Sequence, residues 1–238
     1  TFGTPAIWIA RSQRDEAGML GYTVVEPSAV LTTHLEEVIR VHAAELLSRQ
    51  QITQLLDTLA EAAPVLVKEA RERFRIGQIQ KVLQNLLGEG VPIRDMETIL
   101  ESLCDSPESI HDPDALTERV RWALRRLLTQ QFCESDGRLW CVSLTDSLEN
   151  EIGETIGAYE SEVAPGNGSP RTKQISKMLA EGLTRLTHQG RKPIVLCSAQ
   201  VRLPLKKMLS TAMPEVAVLG YNEVDSAEVQ SVGRIGIE

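Results

Sequence analysis

Two histidines on one prospective helix each carry a carboxylate three residues further on: His34 with Glu37, and His42 with Glu45. Residues three apart share a helical face, so each pair could help hold a metal ion or exchange a proton as general acid and base. A metal site needs three or four ligands, and no second helix supplies the matching Glu-x-x-His. Both pairs therefore read as surface or partly buried polar residues. His111 lies in a Ser/Asp/Pro-rich stretch, and His188 ends a helical pattern, where a cation suits the helix dipole. Glycines cluster at Gly88-Glu89-Gly90 and Gly166-Asn167-Gly168-Ser169. Neither is followed by Gly-Lys-Ser/Thr between a strand and a helix, as a phosphate loop requires.

No Gly-x-Ser-x-Gly elbow is present to expose a nucleophilic serine. Cys197 follows an apolar run, but no histidine or basic cluster stands near it in sequence to lower its pKa, so it reads as a core thiol. With Cys104, Cys133 and Cys141 it makes no Cys-x-x-Cys pair, which fits reduced thiols in a cytosolic setting. The charged sets Glu36/Arg40 and Glu118/Trp122/Arg125 read as solvated helix faces. The turn Glu89–Asp95 is more informative, because Arg94 and Asp95 either cap a helix or meet a neighbouring subunit. No catalytic residue, metal or cofactor is expected, and the chain reads as a non-enzyme.

Hydropathy periods set the elements that carry these residues. Ala6–Ala10 and Tyr22–Val25 have strand composition. Pro27 opens a helical pattern through Ser28–Leu47. Four stripes follow at helical spacing: Ile52–Leu59, Ile79–Leu87 (stopped by Gly88 and Gly90), Ile93–Leu103, and Leu116–Leu128 behind the start signal Asp112-Pro113-Asp114. After Gly137 the period changes. Leu139–Leu144, Pro193–Cys197, Val216–Leu219 and Val232–Ile237 read as strands, separated by a helix that Asp146 caps, a helix carrying Ile175–Leu186, and a helix over Val201–Ala212. Glu160–Pro170 reads as a loop. The expected fold is α/β and multi-domain: an α+β N-terminal fragment (1–47), an all-α helical middle domain (48–132) and an α/β sandwich C-terminal domain (133–238).

Composition narrows the function classes. The 238 residues hold 25 Lys+Arg against 33 Asp+Glu, a net charge of −8, so nothing attracts nucleic acid or an anionic membrane surface. Hydrophobic residues at 42% suffice for a real core. Apolar runs fall far short of the roughly 20 residues a membrane span requires. The chain starts at Thr1 without a signal-peptide pattern and reads as a piece of a longer protein.

Several ordered segments carry a resemblance. Phe2-Gly3-Thr4-Pro5-Ala6-Ile7-Trp8-Ile9, Gly21–Pro27, Thr33–Ile39, Gln78–Asp95, Thr98–Leu103 and Leu116–Arg121 resemble the export-gate family of type III secretion. Pro193–Ser198 and Val218–Val224 are similar to its flagellar branch rather than to the virulence-injectisome branch. The resemblance implies the cytosolic region of a polytopic inner-membrane protein, with four subdomains and a nonameric ring. On that pattern 1–47 is a remnant of the first and second subdomains, 48–132 the third and 133–238 the fourth. It further implies docking of export chaperones loaded with substrates in a dimple at Phe2, Thr4, Val25, Val30 and Thr33. Thr4 stands where the family often has Leu. By composition alone, Phe2 and Val25 serve equally as core residues. Other implied partners are the ATPase complex stalk, the switch-type export-gate protein and further copies of the chain; nucleic acid is not one. The competing readings are an injectisome homologue with the same role, a ring component that binds no cargo, and an α/β enzyme domain binding a nucleotide or metabolite.

Overall fold

The structure is a computed structural model that describes residues 5–159 and 170–236. Neither expected N-terminal strand forms. Residues 5–10 and 22–26 are extended without pairing, and a short helix, α1 (Arg14–Met19), lies between them. Strand composition makes a strand only where a neighbouring backbone completes the ladder, and no described segment does so here. Ile7 and Trp8 consequently stand 87% and 79% exposed. Pro27 occupies the first turn of α2 (Pro27–Val41), as its missing N–H dictates. The single helix expected over Ser28–Leu47 is broken at His42, whose φ −99°, ψ 12° starts a new turn, α3 (Ala43–Leu46).

Six helices follow, not four: α4 (Arg49–Ala60), α5 (Pro64–Arg73), α6 (Ile76–Gly88), α7 (Met96–Cys104), α8 (Pro113–Ala123) and α9 (Arg125–Phe132). Ser48 caps α4 reciprocally with Gln51, each side chain bonding the other's backbone N–H. Asp112 accepts from Asp114 and Ala115 N–H at the start of α8. The apolar stripes converge on one core that includes Ile52, Leu56, Ile79, Leu83, Leu100 and Leu116, none with measurable exposure. Each such side chain contributes about 1.5–3 kcal/mol of burial.

The second body is a four-stranded, wholly parallel sheet of β1 (Arg138–Leu144), β2 (Ile194–Cys197), β3 (Ala217–Gly220) and β4 (Glu228–Ile235), in the order β3-β2-β1-β4. Helices α10 (Asp146–Tyr159), α11 (Pro170–His188) and α12 (Ala199–Leu209) cover one face, where Val142, Leu144, Val195 and Cys197 meet Leu148, Leu179, Leu183 and Leu205. Asp146 is the first residue of α10 rather than its cap. On the opposite face Leu139, Cys141, Leu196 and Leu219 pack against Phe132 and Cys133 at the end of α9. The glycine cluster at 166–169 and most of the expected loop 160–170 lie outside the described residues.

Candidate functional site

Of the five expected docking residues, Phe2 and Thr4 lie outside the described residues. Val30 and Thr33 share one face of α2 a turn apart, and Val25 stands just before that helix. Val25 is 52% exposed, Thr33 is exposed and Val30 half-buried, so Val25 is not a core residue here. Beside them Leu31, Leu35, Val38 and Ile39 are all 40% exposed or more, and α2 buries no residue. Their i, i+4, i+7 spacing forms an apolar stripe of the kind that ordinarily faces a core. On the same helix Glu37 is held bidentately by Arg40 at 2.6–2.9 Å, while His42 Nδ1 lies 3.1 Å from Glu45 in the open. Among the described residues no group of three or more His, Cys, Asp and Glu side chains is placed to hold a metal ion.

The turn at Glu89–Asp95 is set by a helix end. Gly90 adopts φ 71°; its N–H donates to Leu87 O and the next, Val91 N–H, reaches back to Leu86 O. This left-handed stop satisfies two orphan carbonyls of α6, and glycine is there for conformation, not for phosphate. Asp95 caps α7 by accepting from Thr98 N–H at 3.1 Å. Arg94 is exposed and makes no hydrogen bond or ion pair with any described residue.

Glu89, thrown inward by that stop, joins a charge cluster between the two cores. Arg121 on α8 grips Glu223 with two bonds of 2.6 and 2.9 Å and reaches Glu89 at 3.1 Å. Arg202 on α12 donates to Glu89 at 2.7 Å and to Glu118 at 2.6 Å. Arg121, Arg202 and Glu223 are each no more than 2% exposed. Glu223 also accepts from Gly220 N–H at 3.0 Å, which leaves none of its oxygens idle. Around the rim, Lys207 meets Asp114 at 2.6 Å and Arg126 meets Asp225 at 3.1 Å. Burial pushes the Glu89 carboxyl up, but Arg121 and Arg202 outweigh it and hold the group below its ordinary range. For Glu118 burial wins over Arg202, and its pKa is raised.

This corrects the reading of Glu118 as part of a solvated face: Trp122 is exposed and the half-buried Arg125 stacks on it at 4.8 Å, but Glu118 is an ion-pair partner in the cleft. The cluster had a readable signal. Thr117, Arg121, Leu124 and Leu128 fall at spacings of four, three and four, so Arg121 interrupts a buried stripe; Arg202 does the same before Leu205 and Leu209. A cation in a core position demands buried anions. Cys197 is fully buried, donates its thiol to Leu219 O, and is pushed up to about 12 by burial, so it is no nucleophile.

Residues 1–228 match the FHIPEP family model. The flagellar biosynthesis protein FlhA of Bacillus subtilis is 39% identical over 239 residues, covering 100% of this chain and 35% of that protein. The chain thus spans about a third of the length of the curated relatives it matches. Among solved structures, nonameric EPEC SctV-C superposes with a TM-score of 0.78 at 27% identity, covering 94% of this chain and 68% of that one. The Chlamydia pneumoniae CdsV–CdsO complex gives 0.83 at 24% identity, covering 96% and 67%, and shares the fold. No helix among the described residues is long and apolar enough to cross a membrane. The chain belongs to the FHIPEP family of export-gate proteins, whose type III secretion members include FlhA.

Proposed function

We propose that this chain is the cytosolic docking part of a flagellar-type export gate: it receives chaperone–substrate complexes, assembles as a ring below the membrane pore and performs no chemistry itself. The observation that carries the reading is α2, whose apolar stripe Leu31, Leu35, Val38 and Ile39 lies open beside Val30 and Thr33. An exposed apolar patch rimmed by polar residues marks an interaction surface. The nonameric state of SctV-C supports a ring; in it, on this reading, Arg94 and Asp95 stand at a subunit contact. The complex of the similarly folded CdsV with CdsO supports a further protein partner, which on this reading is the ATPase complex stalk. Residues 1–47 then represent the first and second subdomains, 48–132 the third and 133–238 the fourth, all on the cytoplasmic face of the inner membrane.

Calorimetric titration with a flagellar export chaperone, empty and loaded, tests the reading. Tighter binding of the loaded complex, weakened by Thr33→Arg at unchanged thermal stability, is the expected result. Equal binding of wild type and Thr33→Arg removes the dimple, and normal ring abundance for Arg94→Glu in micrographs removes the subunit contact.

A further inference from the structure

Strand β4 is an edge. It pairs with β1 along its whole length, and on its other side no described segment adds a strand. Three of its first five positions, Glu228, Val229 (40%) and Ser231, are exposed and the other two half-buried, and it carries no lysine or proline, residues that commonly blunt an edge. A register shift between Cys141 and Val142 leaves Val232 as an extra residue and sets Gly233 opposite Val142. The bulge therefore places a residue without a side chain directly beneath α11, and a pocket of about 290 Å³ opens there.

The floor and walls of that pocket suit a side chain. Val142 and Ile235 come from the sheet, Met178 and Gly182 from α11. Gly182 allows the helix to approach so closely that a Cβ there would overlap Ile235, which fixes the helix over the end of the strand. The volume lies just under the roughly 300–1,000 Å³ of small-molecule sites, and the lining mixes Val142, Met178 and Ile235 with the charged Glu181, Arg185 and Arg234. At the mouth stands Arg185. Its guanidinium would be 3.9 Å from a Cβ on Gly233, and it makes no ion pair or hydrogen bond with any described residue. Its neighbours are occupied: Arg234 bonds Asp146 and Leu144 O, and Glu181 faces Lys177. A group entering the pocket thus meets the unpaired Arg185 guanidinium, with the Glu181 carboxylate one turn away in the same lining, beside backbone donors and acceptors of β4 that no described segment pairs.

We propose that the free edge of β4 and the pocket under α11 form one docking groove for an extended peptide segment of a partner protein. The segment adds as a fifth strand, an aliphatic side chain fills the pocket, and a carboxylate two residues along, on the same face of the added strand, meets Arg185. Backbone pairing supplies affinity in such strand addition, and the pocket and the charge supply specificity. The groove is separate from α2, so its fate leaves the chaperone-docking reading untouched.

The test uses the isotope-labelled chain and three capped nine-residue peptides of alternating threonine and valine. The first has Leu-Thr-Asp at its centre, the second Leu-Thr-Lys, so that both side chains fall on one face of the strand, and the third is the first with alternate backbone nitrogens methylated. The first peptide is expected to shift amide resonances within 228–236 and 178–185, while methylation abolishes binding. The exposed Arg185→Glu substitution, with unchanged thermal unfolding, is expected to weaken the Asp peptide about tenfold, corresponding to one charge-assisted hydrogen bond, and to reverse the Asp-over-Lys preference. Absence of binding at millimolar peptide, equal binding of the methylated peptide, or indifference to Arg185→Glu overturns the proposal. Resonances of β4 that shift with protein concentration alone, together with a dimer by sedimentation, would assign the edge to a second copy of the chain and overturn it equally.

Discussion

Glu89 and Glu118 are carboxylates on the same Arg202, yet the cluster assigns them unequal weight. Glu89 lies between both buried guanidiniums, at 2.7 and 3.1 Å, whereas Glu118 serves Arg202 alone and keeps 26% of its side chain exposed. At neutral pH Glu89→Gln should lower unfolding stability by about 3 kcal/mol, the lower end of the loss when one member of a buried ion pair is removed, because Arg121 retains Glu223 and Arg202 retains Glu118. Glu118→Gln should lose about 1 kcal/mol, an ordinary hydrogen bond, since burial already disfavours its charged form. Urea unfolding followed by circular dichroism measures both. The pH dependence has opposite signs. The depressed Glu89 pKa gives stability that is present above the unfolded value of 4.5 and lost as pH falls through the folded value, so the Glu89→Gln deficit shrinks in acid. The raised Glu118 pKa gives stability that is present below 4.5 and lost as pH rises through the folded value, so Glu118→Gln removes that decline. Equal losses for the two variants, or a Glu89→Gln deficit that does not change in acid, would refute the reasoning.

Three further outcomes follow from the geometry. Gly90→Ala puts a Cβ at φ 71° and should destabilise by about 1 kcal/mol, read from the urea midpoint at unchanged slope. Cys197, with its pKa pushed up to about 12, and Cys141, pushed up to about 11, should resist alkylation at mildly alkaline pH until the chain unfolds, which mass spectrometry of quenched samples reports. Leu35→Ser, at a residue 59% exposed, should change stability by no more than about 0.5 kcal/mol yet weaken chaperone-complex binding.

The parts of the fold that were legible in the sequence are those where one local period decides the structure. The stripes of α4, α6, α7 and α8 are readable because each repeats apolar residues on one side, and β1 to β3 because short apolar runs sit between helical segments. Helix α5 escaped because Lys68, Glu69, Arg71, Glu72 and Arg73 crowd its short pattern, leaving mainly Val67 and Ala70 buried. Helix α9 merged with α8 because the stripe continues through Leu124, where only a backbone turn at φ −83°, ψ 9° separates them. The failures at Ala6–Ala10 and Tyr22–Val25 have another cause: composition supplies a strand's side chains but not its pairing partner. The charge cluster was hidden for a related reason. Spacing tells which face Glu118 and Arg121 occupy, but not that Arg202, some 80 residues on, packs against it. For the docking face, composition left Val25 open to both a core and a surface role, and only the bare side of α2 shows it on the surface.

The proposed role of the chain is recognition of cargo-loaded chaperones through α2 and its flank. The most direct measurement is isothermal titration of the chain with one flagellar export chaperone, with and without its bound substrate, repeated with Thr33→Arg. The account predicts tighter binding of the loaded complex and its loss in the variant. Equal affinity for empty and loaded chaperone, unaltered by Thr33→Arg, would contradict it.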